Sequence, residues 1–306
     1  MGEVIYDSIK QKNGYFTVLS HYLCTNNPKA SILILHGMAE HQKRYHHFIE
    51  YLISQDYEVY IYNHRGHGTD KKLSDLGVIS PENGAQIIVE DAIAVSKFVE
   101  QHKRSDKFVL FAHSMGSLIA RNVIQTYDKY NAVILSGTTN PSSFITRSGL
   151  CIATVIKKLK GPKHISPYMN HLLFGGKKYT SLSSRTTYDW LSRSNPVVGA
   201  YMHDPYSGFI CSTSMYQDLI KITLNATKKK YIRLTRKDLP LFIISGEKDA
   251  VSNYGKEIIK FQNILKKNNF SRVETKIYPD CRHELLNELN KEEVYSDIVQ
   301  WLKKNL

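Results

Sequence analysis

The chain has 306 residues, which is enough to bury a full core in one large domain that carries an insertion. Its formal net charge of +13 is compatible with binding to nucleic acid. The basic residues are scattered, however, and no recognition motif accompanies them, so we expect no nucleic-acid partner. No apolar run reaches the about 20 residues that span a bilayer, and no signal sequence precedes the first elements, so we expect a cytoplasmic protein.

The first predicted element is a buried strand, Ala30–Leu35, which runs directly into the segment His-Gly-Met-Ala-Glu-His at residues 36–41. Because Gly37 lets the backbone turn back, this loop can aim the N–H of Met38 at a reacting oxygen. We predict that Met38 is one of two N–H donors of an oxyanion hole, with an ordinary turn as the alternative.

The next predicted strand, Tyr57–Tyr62, ends in a loop with two glycines at residues 63–68. This loop lacks the third glycine and the immediate helix of a dinucleotide-binding fingerprint, so it predicts no such cofactor. The Ser-Pro-Glu segment at residues 80–82 is predicted to open a helix, since proline suits the first helical turn. Its predicted buried face consists of Ile88, Ala92, Val95 and Val99.

The most informative segment is Ala-His-Ser-Met-Gly at residues 112–116, which follows a predicted buried strand at 108–111 and precedes a helical pattern. A serine between small residues at a strand-to-helix turn is typical of the nucleophile elbow of α/β-hydrolases. We therefore predict Ser114 as the nucleophile and the N–H of Met115 as the second oxyanion donor. Ala112 stands where the motif prefers glycine.

After the predicted strand Ala132–Ser136, the alternation of strands and helices stops over residues 138–212. A structureless loop of this length is improbable in a compact domain, so we predict a helical cap at 138–212 inserted into a core of 1–137 and 213–306. Its apolar segment 150–156 is interpreted as a helix packed on the core, or alternatively as an amphipathic segment that docks on membranes. We expect an acyl chain to contact Ile152, Val155 and Phe174.

The general base is predicted from chain order, because the histidine of an α/β-hydrolase triad comes after the serine and the acid. Of the histidines that follow Ser114, only His283 comes after a strand pattern, Val273–Tyr278, and before a helical one. We predict that His283 is the base. The others are His164, His171 and His203.

The acid is expected just after the preceding strand, predicted at residues 239–245. Asp249 is favoured over Glu247, because the turn that begins at Gly246 needs a few residues before a side chain can swing towards His283. Asp280 is a weaker rival. The alternation along the chain predicts an α/β fold, namely an α/β-hydrolase with a doubly wound, mostly parallel sheet and a helical cap.

Five segments together resemble the monoacylglycerol lipase and lysophospholipase branch of the α/β-hydrolases, and they are residues 36–41, 63–68, 113–116, 246–249 and 282–284. Their order and separation fit nearly the whole chain. The residues that the resemblance implies for the triad and the oxyanion hole are Ser114, Asp249 and His283, with Met38 and Met115. It also implies that no metal or organic cofactor is needed. Ala112 departs from this pattern, as does Asn63, where aspartate is usual.

These inferences predict a serine esterase that cleaves carboxylic esters of single-chain lipids, of the monoacylglycerol or lysophospholipid type, through an acyl-enzyme. A thioesterase, a peptidase or an acyltransferase would use the same triad, and a non-catalytic binding homologue is a further alternative. The expected partner is a small lipid-like ester. Peripheral contact with anionic membranes through the cap is an additional hypothesis, and the oligomeric state is left open.

The cysteines are Cys24, Cys151, Cys211 and Cys281, and their wide spacing matches no metal site or CxxC motif. We therefore expect free thiols. Free thiols are typical of a reducing compartment, which agrees with the cytoplasmic location expected above.

Overall fold

One mixed sheet of eight strands organises the described part of the chain, residues 3–182 and 185–306 of a computed structural model. The strands are β1 (Val4–Lys10), β2 (Phe16–Tyr22), β3 (Ala30–Leu35), β4 (Tyr57–Tyr62), β5 (Phe108–His113), β6 (Ala132–Ser136), β7 (Leu241–Gly246) and β8 (Val273–Tyr278). Their spatial order is β1-β2-β4-β3-β5-β6-β7-β8. From β4 to β8 all neighbours are parallel, so the predicted doubly wound, mostly parallel sheet is confirmed.

The two N-terminal strands were not predicted from the sequence. β1 pairs antiparallel with β2, and β2 pairs antiparallel with β4. Because β1 lies at the edge of the sheet, most of its side chains are at least partly exposed. It therefore lacks the continuous apolar run that identifies the buried central strands.

The helices lie between these strands and after the last one. They are α1 (His46–Ser54), α2 (Gly84–His102), α3 (Met115–Val123), α4 (Ser143–Lys160), α5 (Pro167–Phe174), α6 (Lys177–Thr180), α7 (Asn195–His203), α8 (Thr213–Thr227), α9 (Lys229–Ile232), α10 (Lys256–Lys267) and α11 (Lys291–Asn305). In residues 3–182 and 185–306, none of them is long and apolar enough to cross a bilayer.

Helix α2 begins at Gly84, so the predicted start at residues 80–82 is wrong. Asn83 adopts a left-handed conformation with φ of 56°, which separates the proline-containing turn from the helix. The predicted buried face is nevertheless confirmed, because Ile88, Ala92, Val95 and Val99 are all inaccessible to solvent.

Both faces of the sheet are covered. Leu33 and Leu35 of β3 point into the layer that contains α2, α3, α8 and α10, while Ile32 and Ile34 point into the layer that contains α1 and α11. The strand period of two thus divides one apolar run between two cores. All four cysteines are free thiols, as predicted.

The parallel strands all end at the same edge of the sheet, and the segment between β6 and β7 contains α4 to α9. Helix α4 turns Thr146 and Ala153 inward and packs against α8. This arrangement leaves the loops after β3, β5, β7 and β8 at the carboxyl edge, where ligands of open parallel sheets bind.

Candidate active site

Ser114 lies in a strained turn between β5 and α3. Its backbone has φ of 51° and ψ of −118°, a conformation that few residues with a side chain adopt. The Ser114 N–H donates to the carbonyl oxygen of Ser136 at 2.9 Å, which ties the turn to β6. A Cβ on Gly116 would lie 2.3 Å from the carbonyl oxygen of Leu35, so only glycine fits there. Ala112, by contrast, is an ordinary buried residue of β5.

Three predicted side chains meet at this turn, although they are far apart in the chain. The Ser114 hydroxyl donates to Nε2 of His283 at 2.9 Å. On the other side of the ring, Nδ1–H of His283 donates to Oδ1 of Asp249 at 3.0 Å. His283 follows β8 and Asp249 follows β7, so neighbouring parallel strands deliver both side chains to one edge.

The rival acids do not reach this site. Glu247 is exposed, and its Oε2 accepts the backbone N–H of Asp280 at 3.1 Å. Asp280 itself is exposed, with a φ of 56° in the turn after β8. Of the three acidic candidates, only Asp249 contacts His283.

Asp249 and His283 stabilise each other's charged forms. Burial alone would raise the pKa of Asp249, but nearby His283 and the Val251 N–H, which donates at 2.8 Å, hold that pKa below its usual value. Burial also opposes the charging of His283, yet the Asp249 carboxylate raises the pKa of His283 above its usual value. A general base must gain a proton during reaction, and this pairing favours that step.

The loop after β3 packs directly against Ser114. A Cβ on Gly37 would lie 2.7 Å from Oε1 of Glu40 and 3.2 Å from Cβ of Ser114. Met38 follows Gly37, and Met115 is the first residue of α3. In residues 3–182 and 185–306, neither the Met38 N–H nor the Met115 N–H makes a hydrogen bond to protein. Both donors are therefore unpaired in this part of the chain, and Met38 lines the cavity beside Ser114.

A buried ionic network that the sequence analysis did not identify lies beside this loop. Arg44 Nη1 donates to Oε2 of Glu40 at 2.7 Å and to Oε1 of Glu284 at 2.7 Å, while Nη2 donates to Oε2 of Glu284 at 2.7 Å. Against the effect of burial, Arg44 lowers the pKa of Glu40 to about 2 and also lowers the pKa of Glu284. Glu40 and Glu284 lie within two of the segments that carry the family resemblance, 36–41 and 282–284, and this is the signal that the sequence offers for them.

Four buried histidines lie around the same loop, and burial keeps their rings neutral. They are His36, His64, His67 and His113. Burial lowers the pKa of His36 to about 3, and the pKa values of His67 and His113 to about 4. Nε2 of His36 accepts the backbone N–H of His64 at 3.0 Å, so Nδ1 of His36 carries the proton and donates to the Gly37 carbonyl at 2.8 Å. Through these two hydrogen bonds, His36 fixes the start of the loop relative to the loop after β4.

A cavity of about 350 Å³ opens onto Ser114, His283 and Met38. The segment between β6 and β7 supplies much of its opposite wall. That wall includes Phe174, Tyr179, Trp190, Leu191 and Phe209, and His171 also lines the cavity. The Trp190 ring lies 5.3 Å from the His283 ring, and Phe174 stacks on Trp190 at 6.0 Å. The cavity is therefore mainly apolar and aromatic, it opens onto the polar groups of Ser114 and His283, and a few polar side chains such as Asn170 and Thr187 also line it.

Of the three residues predicted to contact an acyl chain, only Phe174 lines this cavity. Ile152 and Val155 do not line it, and the helix that carries them, α4, packs on α8. Ile152 packs against the core, and Val155 is 51% exposed. Helical periodicity predicted an apolar face of α4 but could not show which neighbour that face contacts.

Comparisons with known proteins agree with this geometry. A family profile described as "Serine aminopeptidase, S33" matches residues 26–290. A monoacylglycerol lipase of Mycolicibacterium smegmatis is 25% identical over 286 residues, covering 92% of this chain and 90% of the relative.

Two solved structures show the same fold. A thermostable carboxyl esterase from Bacillus coagulans superimposes with a TM-score of 0.90 and 23% identity, covering 100% of this chain and 99% of that one. A monoglyceride lipase variant from Saccharomyces cerevisiae superimposes with a TM-score of 0.75 and 19% identity, covering 100% and 97%. The chain therefore belongs to the serine aminopeptidase S33 family, within the monoacylglycerol lipase-like branch of the α/β-hydrolases.

Proposed function

We propose that this ester hydrolase cleaves carboxylic esters of single-chain lipids, of the monoacylglycerol or lysophospholipid type, through an acyl-enzyme intermediate. One observation carries the proposal: the hydrogen-bonded series Ser114, His283 and Asp249 lies at the polar end of an apolar cavity. Binding of a ligand alone would not require a hydroxyl, an imidazole and a buried carboxylate in this order.

In the first half of the reaction, Ser114 Oγ attacks the ester carbonyl carbon while its proton moves to Nε2 of His283. Asp249 holds the ring in the tautomer that accepts this proton and stabilises the imidazolium. The carbonyl oxygen becomes an oxyanion, to which the N–H groups of Met38 and Met115 donate. When the C–O bond breaks, His283 returns the proton to the leaving alcohol, and the acyl group stays on Ser114.

In the second half, water attacks the acyl carbon and gives a proton to His283. The same two N–H donors stabilise the second oxyanion. Collapse of this intermediate releases the fatty acid and returns the proton to Ser114. The unhindered N–H groups and the raised pKa of His283 support both halves.

The proposed substrate class is supported by the cavity. Its volume of about 350 Å³ and its aromatic wall suit a single acyl chain, for which each buried methylene contributes about 0.8 kcal/mol. Relatives named monoacylglycerol lipase match over most of the chain, which supports the same class. We assign the cavity wall to a cap at residues 138–212, with residues 1–137 and 213–306 as the hydrolase core.

We also infer that the outer face of α4 contacts lipid surfaces. Phe144, Ile145 and Leu159 are each more than 60% exposed on this helix, and its last turn carries Lys158 and Lys160, together with Lys157, which pairs with Glu82. Apolar side chains beside cations suit the interface of an anionic membrane. Co-sedimentation with phosphatidylserine vesicles should be weakened by Leu159→Ser, and equal binding by the variant would contradict the inference.

A fluorophosphonate probe tests the proposed chemistry. We expect covalent labelling of the wild-type protein at Ser114, detected by peptide mass, and none in Ser114→Ala. A rate profile across monoacylglycerols, lysophosphatidylcholine, an acyl thioester and a peptide anilide then tests the substrate class. Faster cleavage of the anilide or the thioester than of every ester would overturn it, as would a labelled protein that hydrolyses no ester.

A further inference from the structure

The Glu40, Arg44 and Glu284 network joins the two loops that the proposed mechanism needs. Glu40 belongs to the loop after β3, which carries Met38. Glu284 directly follows His283. Arg44 lies in the short 3-10 turn Gln42–Tyr45 before α1 and contacts both carboxylates at 2.7 Å.

On the oxyanion side, Glu40 acts on the backbone next to the proposed donor. Its Oε1 accepts the Gly37 N–H and also the Tyr45 hydroxyl, the latter at 2.8 Å. The Gly37 N–H is therefore occupied, which fixes the peptide unit between His36 and Gly37, directly before the unit that carries the Met38 N–H. Because Arg44 occupies Oε2, the Glu40 carboxylate has little freedom to rotate.

On the base side, Glu284 is held at both its backbone and its side chain. Its N–H donates to the Leu191 carbonyl at 2.8 Å, and its Oε2 also accepts Asn287 Nδ2 at 3.0 Å. The two-point contact of Arg44 then fixes the residue after His283 relative to the loop after β3.

A purely structural role accounts poorly for this arrangement. Glu40 and Glu284 are 4% and 5% exposed, and removing charges from water is costly, so a buried ionic network is weak evidence of stabilisation. Two carboxylates share one guanidinium, which leaves a net negative charge beside the cavity. Both carboxylates also raise the pKa of His283, although Asp249 has the larger effect. The network therefore influences the base through charge as well as through position.

We propose that Arg44 is a positioning residue that bridges Glu40 and Glu284, and so holds the oxyanion loop and His283 in one arrangement. The proposal rests on the proposed function, because it concerns the alignment of the oxyanion donor Met38 with the general base His283. Oxyanion contacts form only in the transition state, so misalignment lowers kcat more than it raises KM.

The test compares Arg44→Lys, Glu40→Gln and Glu284→Gln with a matched control, Glu58→Gln. Glu58 is also a buried glutamate bonded to an arginine, Arg104. It lies near the amino-terminal end of β4, whereas the site lies at the carboxyl edge of the sheet. Lysine keeps the charge of Arg44 but cannot bridge two carboxylates at fixed geometry. We expect kcat to fall about 10- to 100-fold in Arg44→Lys and Glu40→Gln, with KM changed less than about 3-fold. The control should keep the wild-type kcat.

The pH profile provides a readout that a structural role would not move. Because Glu284 raises the pKa of His283, Glu284→Gln should shift the acidic limb of kcat/KM to lower pH, while Glu58→Gln leaves it unchanged. Thermal unfolding identifies the variants that fold. If Arg44→Lys does not fold, the kcat and KM values of Glu40→Gln and Glu284→Gln, which weaken the bridge from the carboxylate side, decide the matter.

Two failures are distinguishable. If the wild-type protein hydrolyses no ester and is not labelled at Ser114, the proposed function fails. If the wild-type protein is active but the kcat values of the variants match the control, only the positioning role of Arg44 is overturned. An acidic limb that stays in place in Glu284→Gln would contradict the charge effect of the network on His283.

Discussion

The carbonyl oxygen of Trp190 accepts the backbone N–H of His283 at 3.4 Å, and the two side-chain rings lie 5.3 Å apart. Leu191 continues this contact, since its carbonyl accepts the N–H of Glu284 at 2.8 Å. The segment that forms the cavity wall therefore also supports the loop that carries the base. Substitutions at Trp190 should therefore affect both the rate of the chemical step and the choice of substrate. Phe174 contacts Trp190 rather than His283, so its substitution should affect mainly the choice of substrate.

Removal of the nucleophile should abolish ester hydrolysis without unfolding the protein. We expect Ser114→Ala to lower kcat by about 10⁴-fold or more, because no other hydroxyl in residues 3–182 and 185–306 donates to His283. His283→Ala should be about as damaging, and the double variant little worse than either, because the residues act as a unit. Steady-state rates and circular dichroism check both points. A folded Ser114→Ala variant with a tenth of the wild-type rate would contradict the assignment.

Replacement of the acid should be nearly as severe. Asp249→Asn should lower kcat by about 10⁴-fold, because the asparagine amide favours the wrong tautomer of His283. Glu247→Gln and Asp280→Asn are matched controls on exposed carboxylates, and we expect less than about a 2-fold change for exposed groups of this kind. A larger loss in Asp280→Asn than in Asp249→Asn would show that the acid is misassigned.

The pH dependence of kcat/KM should reflect the protonation of His283. The base must be neutral in the free enzyme, and its pKa is raised above the ordinary histidine value of 6.5, so the acidic limb of kcat/KM should lie above pH 6.5. By linkage, the same shift stabilises the fold below pH 6.5 and loses this effect as the pH rises through the folded-state pKa. A fatty-acid release assay on an uncharged ester measures the limb. A limb near pH 4, the pKa of His113, would point to the wrong histidine.

The cavity wall should set chain-length preference. Phe174→Ala removes an aromatic ring from the wall, and we expect kcat/KM on long-chain monoacylglycerols to fall about 10- to 100-fold, since burying such a side chain is worth about 1.5–3 kcal/mol. An acetyl ester should react at nearly the wild-type rate.

Val155→Ala serves as the control for chain-length preference, because this side chain is exposed on α4 outside the cavity. Its rates on short and long esters should both match those of the wild-type protein. Equal losses on short and long esters in Phe174→Ala would show that this wall shapes the reacting centre itself.

The sequence by itself determined the central strands, their parallel orientation and the residues that meet at the strand ends. These features depend on local signals, namely apolar runs, tight turns at Ser114 and Gly246, and the position of a histidine after the last strand. Parallel strands end at one edge of a sheet, so correct placement of each residue after its strand was enough to bring Ser114, Asp249 and His283 together.

Only the tertiary structure decided what lies around these residues. The antiparallel strands β1 and β2, the start of α2 and the outward orientation of Val155 depend on neighbours that local periodicity does not specify. The contact between Arg44 and Glu284 joins residues 240 positions apart, and no spacing rule predicts it. Such ionic contacts require burial by the completed fold, because the desolvation that makes them specific exists only after the chain has packed.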